Sequence, residues 1–324
     1  MEKLKVAILV GGPSTEYEVS LNSGKNVLKK IDVKKFSPSL VVLSRKLKLS
    51  VNNQPAKFPE DLKKFDVIFN AMHGQFGEDG QIQAILENLS IPFTGSDLTA
   101  SNLAMDKWTS LKIFKKSGLR AASNQLLRKP NDKIKPRLKF PIVLKPRYGG
   151  SSVGISIVKD KKDLAKKVKI AFKHDSGVVV EEYIPGKEFA CSVLEVNGRP
   201  KALPVIEIRP KSKYEFFNYE AKYKTDATEE IVPAPISGKL TMEIQRASLI
   251  AHKALGCQTY SRSDFIWCKN KLYILELNTL PGLTQTSLFP KSAKAAGLSL
   301  KNLITTIINS SLSSSPTINK SLKT

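Results

Sequence analysis

The sequence predicts an α/β protein that continues into α+β segments, and three observations carry this. Strand and helix signals alternate over the first hundred residues, which implies a parallel sheet with helices on its faces. Two glycine clusters, Gly11–Gly12 and "HGQFGEDG" (His73 to Gly80), fall directly after strand-like runs. Ligands of such sheets collect at the carboxyl ends of the strands. Beyond residue 139, short strands follow one another with few helices between them.

Each element has its own signal. "LKVAILVGG" reads as a buried strand and Val19 to Lys30 as a helix. "SLVVLS" and "FDVIFNAM" are two more strands, "GQIQAILENL" a helix and "IPFTG" a short strand. A second block opens with two helices, the second starting at the cap-like Asp106 and ending near Gly118. It continues with the strands "FPIVLKP", "GISIV" and "VVVEEYI", the last preceded by a helix rich in lysine. The third block has the strands "EFACSVLEV" and "KALPVIEI", a helix over Lys239 to Leu255, a hairpin over Ser261 to Asn278 and two closing helices. The expected division is 1–96, 97–187, 188–310 and a polar tail, 311–324, that frays.

Between the second and third strands of the last block, residues 211–235 hold five aromatics, four lysines and five acids with no apolar periodicity. A long ordered loop of this composition, here about 210–230, reads as a lid.

Composition excludes several classes. No apolar run approaches the roughly 18 residues of a membrane span, and the apolar run at the N-terminus is too short for a signal-peptide core. A cytosolic protein with no membrane partner is expected. Cys191, Cys257 and Cys268 are odd in number and lack metal-site spacing, so they read as reduced thiols. The net charge of +23 could suggest nucleic acid. The lysines are scattered over helix faces opposite apolar residues, however, with no zinc finger and no arginine-rich tail. A lysine-biased proteome with an anionic small substrate accounts for the charge, and nucleic acid is not an expected partner.

Three motifs carry chemistry. "KPRYGGSSVGIS" joins two strands through a glycine–serine turn, whose backbone N–H groups can cradle phosphate or can simply make a tight turn. It is not a Walker loop, because no Gly-Lys pair here has the upstream glycine and the following hydroxyl residue. "EEYIPGKEF" is a strand leaving one region for another, or an edge facing adenine and ribose. In "DFIWCKNKLYILELN", Asp264 begins one strand while Glu276 and Asn278, two apart, end the other on one face. Carboxylates closing a core strand must be paired or bind metal. The readings are Mg²⁺ bound through oxygen ligands, or salt bridges to Arg262 or a lysine. The metal reading requires Asp264 to stand opposite Glu276, which implies a three-residue turn, Lys269 to Lys271, or a bulge; a two-residue turn alone places Leu275 there.

Taken together, the phosphate loop, the "EEYI" edge and the hairpin ending in "ELN" resemble the ATP-grasp enzymes. Within them, "GGPSTEYEVSLNSG", "HGQFGEDG", "FTGSDLTASNLAMDK", "KPRYGGSSVGIS", "YEAKY" and "ELNTLPGLTQTSLFP" resemble the D-alanine–D-alanine ligases, in order, from residue 6 to about 310. One departure is Ser263, where that family more often has an apolar residue. The resemblance implies an N-terminal substrate-side domain and two further domains clamping ATP. It implies ATP-dependent formation of D-alanyl-D-alanine for peptidoglycan through an acyl phosphate, in a homodimer. A ligase using D-lactate or D-serine, or another carboxylate–amine ligase, is the alternative.

Site residues follow from the same resemblance. Lys107, Lys145 and Lys222 would neutralise the triphosphate, with Ser152 in the phosphate loop. Glu181, Glu182, Tyr183, Ile184 and Glu188 would face adenine and ribose. Asp264, Glu276 and Asn278 would hold two Mg²⁺ ions, with Mn²⁺ as a substitute. Arg262 and the N–H of Gly282 would form an oxyanion site. Glu16 would bind the first D-alanine's ammonium and Ser287 the second one's carboxylate, with His73 a contact. Glu16, Ser151 and Tyr223 would orient substrate and relay a proton, and Lys222 and Tyr223 would belong to the lid.

Overall fold

The computed structural model describes residues 2–135, 137–150, 153–210 and 228–314. Strand β1 (Leu4–Gly11) is the centre of the first sheet. Its alternate side chains feed two cores, Val6, Ile8 and Val10 one, Ala7 and Leu9 the other. An apolar run buried on both faces is what a parallel sheet demands. β2 (Phe36–Leu43) and β5 (Val67–Asn70) flank β1 in parallel. Helix α1 (Tyr17–Lys30) contributes Val27 to one core, and α2 (Gln81–Asn88) contributes Ile82 and Leu86 to the other.

The strand order is β4-β3-β2-β1-β5. β3 (Leu49–Val51) and β4 (Gln54–Ala56) form an antiparallel hairpin that the apolar pattern does not reveal. Its turn, Asn52–Asn53, has both φ angles positive, the geometry that asparagine tolerates in two-residue hairpins. The strand expected at "IPFTG" is reduced to one bridge, Phe93 to Ile68.

Helix α3 (Leu98–Met105) runs into α4 (Lys107–Lys116), which is capped by Asp106 through the amides of Trp108 and Thr109. Strands β6 (Asn124–Leu127), β7 (Ile142–Pro146), β8 (Ser156–Val158) and β9 (Val178–Glu182) form an antiparallel sheet in the order β6-β9-β7-β8. Helix α5 (Lys161–Ala171) packs Val168 and Ala171 onto it.

The third sheet is β13-β12-β10-β14-β15, with β11 beside β10. Its members are β10 (Lys187–Val196), β11 (Arg199–Ala202), β12 (Ile206–Pro210), β13 (Thr228–Ile231), β14 (Tyr260–Cys268) and β15 (Lys271–Asn278). The single strand expected for "KALPVIEI" is therefore two. Pro204, which lacks an N–H, stands in the break, and both halves pair with β10. Helix α6 (Gly238–Ala254) covers the sheet through Leu240, Ile244 and Ala251. Helices α7 (Leu288–Ala295) and α8 (Leu300–Ser314) close the chain, and Ile304 and Ile307 of α8 complete the first core.

The β14–β15 turn is the two-residue one, Lys269–Asn270, with both φ angles positive. Phe265 pairs with Ile274, yet Asp264 pairs with Glu276, so Leu275 is an extra residue bulged out of the ladder. The bulge, not the turn, sets the register that the metal reading requires. Among the described residues no helix is long and apolar enough to cross a membrane. Cys191 and Cys257 are free and buried, and burial pushes their thiols up to about 12, which keeps them protonated and unreactive at neutral pH.

Candidate active site

Two cavities meet at Glu276. The first, about 440 Å³, opens between the four-stranded and six-stranded sheets. Val143, Ile155 and Ile157 wall it on one side, and Phe189, Ile208, Phe265 and Leu275 on the other. Lys145, Glu181, Glu182, Tyr183, Ile184, Glu188 and Asp264 also line it. Lys145 and Glu181 are diagonal neighbours on β7 and β9 and pair at 2.9 Å, both buried. Burial disfavours the Lys145 ammonium, but Glu181, with Glu276 and Glu188 beyond it, holds its pKa above the ordinary value. Glu181 Oε1 is buried with no hydrogen-bond partner among the described residues. Such an atom is costly unless a ligand donor meets it, so this wall fits a group that carries an N–H or amine.

The second cavity, about 340 Å³, lies past the carboxyl ends of β1 and β5. It is lined by Glu16, His73, Glu78, Lys107, Arg262, Asn278, Gly282 and Ser287 among others. Glu16 stands at the N-cap position of α1, without a side-chain capping hydrogen bond, and lies against two glycines. A side chain at Gly74 (φ +71°) would collide with Ser14 and the Glu16 carboxylate, and a Cβ at Gly150 would sit 3.5 Å from Glu16 Oε2. Glycine at 74 therefore serves both the turn and the close approach. His73 is buried between Ser23 Oγ, 2.9 Å from Nε2, and Glu78 Oε1, 3.3 Å from Nδ1. Burial raises the Glu78 pKa above the usual carboxylate range; the His73 contact works against this and the charge of Glu16 adds to it.

On the sheet face between the cavities, Arg262 stands opposite Asn278 and Asp264 opposite Glu276. All four share a face. Arg262 grips Asp264 with two hydrogen bonds, Nε to Oδ1 at 2.7 Å and the terminal nitrogen to Oδ2 at 2.9 Å. Burial disfavours this guanidinium, but Asp264 beside it holds its pKa above the ordinary value. The salt-bridge reading of Asp264 is thus present. The oxygen donors of Asp264, Glu276 and Asn278 also fit a hard cation such as Mg²⁺, since each bound carboxylate oxygen keeps a second lone pair. Behind them, Ser263 Oγ is fully buried on the opposite face with no partner among the described residues, where an apolar residue would fit.

The glycine loop between β7 and β8 is tied down at its base. Lys107 donates its backbone N–H to Arg147 O at 3.0 Å, and its ammonium reaches Gly149 O. Arg147 clasps Asp106 at 2.9 and 2.6 Å. Burial would raise the Asp106 pKa, yet Arg147 and the Thr109 hydroxyl hold it below the usual range. The sequence reading assigned Asp106 a capping role but no clasp. Glu78 lies within "HGQFGEDG", but no spacing rule pairs residues 73 and 78, so sequence alone does not single it out.

The structure therefore brings Glu16, His73, Lys107, Arg262, Asn278, Gly282 and Ser287 to one cavity, Lys145, Glu181, Glu182, Tyr183, Ile184, Glu188 and Asp264 to the other, and Glu276 to both. Ser151, Ser152, Lys222 and Tyr223 lie outside the described residues, as does most of the expected lid. Its flanks are adjacent, with Pro210 opposite Thr228.

A family model for the D-ala D-ala ligase N-terminus matches residues 5–54 and 45–96, and one for the D-ala D-ala ligase C-terminus matches residues 107–309. A D-alanine–D-alanine ligase of Syntrophobacter fumaroxidans is 41% identical over 315 residues, 96% of this chain and 98% of that one. The solved structure of a Bacillus anthracis D-alanine–D-alanine ligase complexed with ATP superposes with a TM-score of 0.81 at 35% identity, covering 96% of this chain and 98% of the other. The VanG D-Ala:D-Ser ligase of Enterococcus faecalis gives 0.85 at 31% identity, covering 96% and 100%. Two antiparallel sheets closing on one cavity are the ATP-grasp fold, and the chain belongs to the D-alanine–D-alanine ligase family.

Proposed function

We propose that this chain couples ATP cleavage to the joining of two D-alanines as D-alanyl-D-alanine, a peptidoglycan precursor. The observation that supports this most is the meeting of the two cavities at Glu276, one with apolar side chains on both walls and the Lys145–Glu181 pair among its charged groups, the other lined by Glu16, His73, Lys107 and Arg262. A phosphoryl group must pass from a nucleotide to a small amino acid, and this junction is where the two would touch.

In this reading adenine lies in the first cavity, with the unpartnered Glu181 oxygen accepting from its amine. Glu182, Tyr183, Ile184 and Glu188 frame adenine and ribose. Lys107 and Lys145, with Lys222 from outside the described residues, neutralise the triphosphate, and Ser152, also outside them, belongs to the phosphate loop. The first D-alanine binds in the second cavity with its ammonium on Glu16, and its carboxylate oxygen attacks the γ-phosphorus. ADP leaves and an acyl phosphate remains. The second D-alanine's amine attacks the acyl carbon, the amine proton passes to the set of Glu16, Ser151 and Tyr223, and phosphate leaves. Arg262 and the Gly282 N–H stabilise the oxyanion of the tetrahedral intermediate. Ser287 holds the acceptor's carboxylate, and His73, fixed by Ser23 and Glu78, contacts substrate. Asp264, Glu276 and Asn278 would hold Mg²⁺, with Mn²⁺ as a substitute, which supplies charge neutralisation between the phosphates. The cytosol and a homodimer fit this role.

The likeness to the D-Ala:D-Ser ligase gives a second reading, with D-serine as acceptor. Phosphate release by the purified protein with ATP, Mg²⁺ and D-alanine separates them. D-alanine alone is expected to support turnover, L-alanine to support none, and added D-serine or D-lactate to leave the rate unchanged. No release with D-alanine, or a dominant D-alanyl-D-serine product, would overturn the dipeptide reading.

A further inference from the structure

Helix α7 carries a cation at the end where helices accept one poorly. Lys291 is its fourth residue, and its backbone N–H donates to Ser287 O at 3.2 Å. The aligned peptide dipoles make this end positive, so a lysine here needs another partner. It has one across the fold. Its ammonium pairs with Glu230 Oε2 of β13 at 2.6 Å, with the two side chains 34% and 16% exposed. Glu230 is part of the wall of the second cavity, together with Arg262, Gly282, Thr284, Thr286 and Ser287. Lys291 stands behind that wall.

We infer that Lys291 is a positioning residue for the acceptor: it neutralises Glu230 where the second amino acid's carboxylate must enter. The inference rests on the proposed function, in which Ser287 holds that carboxylate. A carboxylate wall repels a carboxylate ligand, and the repulsion grows as water is excluded. Paired with Lys291, Glu230 presents an ion pair rather than a net negative charge. Arg262 does not neutralise Glu230 in its place, because its charge already balances Asp264 and its remaining N–H groups serve the oxyanion in the proposed function. The same pair ties β13 to the helix that Ser287 opens, so the wall and the carboxylate-binding end move together.

The test is steady-state kinetics of the full chain, with the D-alanine dependence fitted to two constants. Lys291→Met is expected to raise the second-site constant roughly tenfold, with the first-site constant, the ATP KM and kcat changed less than about twofold. Lys291→Arg, which keeps the charge, is expected to hold the second-site constant within about twofold of the original. The double variant Glu230→Gln/Lys291→Met is expected to recover most of the loss, because the repelling charge is gone. A merely structural pair would lower kcat and the melting temperature and would not be rescued by the second substitution. A double variant no better than Lys291→Met, or constants that rise together, overturns the inference. Failure of the underlying reading looks different, since the unaltered protein would then release no phosphate with D-alanine.

Discussion

The cavity between the two antiparallel sheets is walled by Val143, Ile155, Ile157, Ile184, Phe189 and Phe265, whereas the cavity past the five-stranded sheet is walled by Glu16, His73, Glu78, Lys107 and Arg262. The first would hold a flat ring between these apolar walls, and it also carries charged groups, the Lys145–Glu181 pair, Glu182, Glu188 and Asp264 among them. The second has fewer apolar side chains in its wall, and its His73, Lys107 and Arg262 are each held by a neighbour. Strand faces explain the contrast. Antiparallel sheets turn alternate apolar side chains toward each other, while the ends of parallel strands present loops and helix starts. Among the described residues only Glu276 lines both cavities, so nucleotide and amino-acid binding should respond separately to substitution everywhere except there and at its strand partners.

The strongest test of this contrast lies at the border. Asp264→Asn removes a proposed Mg²⁺ ligand and leaves the buried Arg262 without its counter-charge. A loss in kcat of about a thousandfold or more is expected, measured by phosphate release across a Mg²⁺ and Mn²⁺ titration. Activity within about tenfold of the original would mean that Asp264 serves only the salt bridge.

A smaller effect should isolate the first cavity. Lys145→Met removes the ammonium and leaves Glu181 buried and unpaired. The ATP KM is expected to rise by about ten- to a hundredfold, and stability to fall by about 3 kcal/mol in chemical denaturation. Both D-alanine constants should stay within about twofold. D-alanine constants rising with the ATP KM would show that the cavities are not separable.

The smallest expected effect concerns the clasp at the base of the glycine loop. Arg147 holds the Asp106 carboxyl below its ordinary pKa. As pH falls, the unfolded chain therefore takes up this proton first, so the clasp stabilises the fold above about pH 4 and loses its effect below. Asp106→Asn keeps the helix cap but not the ion pair. Its melting temperature should lie below that of the original chain at pH 7, with the gap closing toward pH 3. A gap independent of pH would assign the loss to the cap.

Much of the fold was legible because its signals are local. The doubly buried run at Val6–Val10, the cap at Asp106 and the helix over residues 239–254 are written in short windows of sequence. The β3–β4 hairpin escaped because its strands are three residues each and half-exposed. The split of "KALPVIEI" turned on one proline whose missing N–H matters only beside β10. At the hairpin, the chemistry demanded Asp264 opposite Glu276, but whether a longer turn or a bulge would supply that register was open. The bulge at Leu275 supplied it, with Leu275 left to line the first cavity.

Residue types, order and spacing by themselves determined the family, the fold class and the groups available for chemistry, because strand period, glycine turns and charged strand ends act within a few residues. The tertiary structure alone decided which groups meet: Arg147 with Asp106, His73 with Ser23, Lys291 with Glu230, and Glu276 with both cavities. Each of these depends on packing between elements distant along the chain or on a register that only the sheet sets, and burial then determines how strongly their charges act.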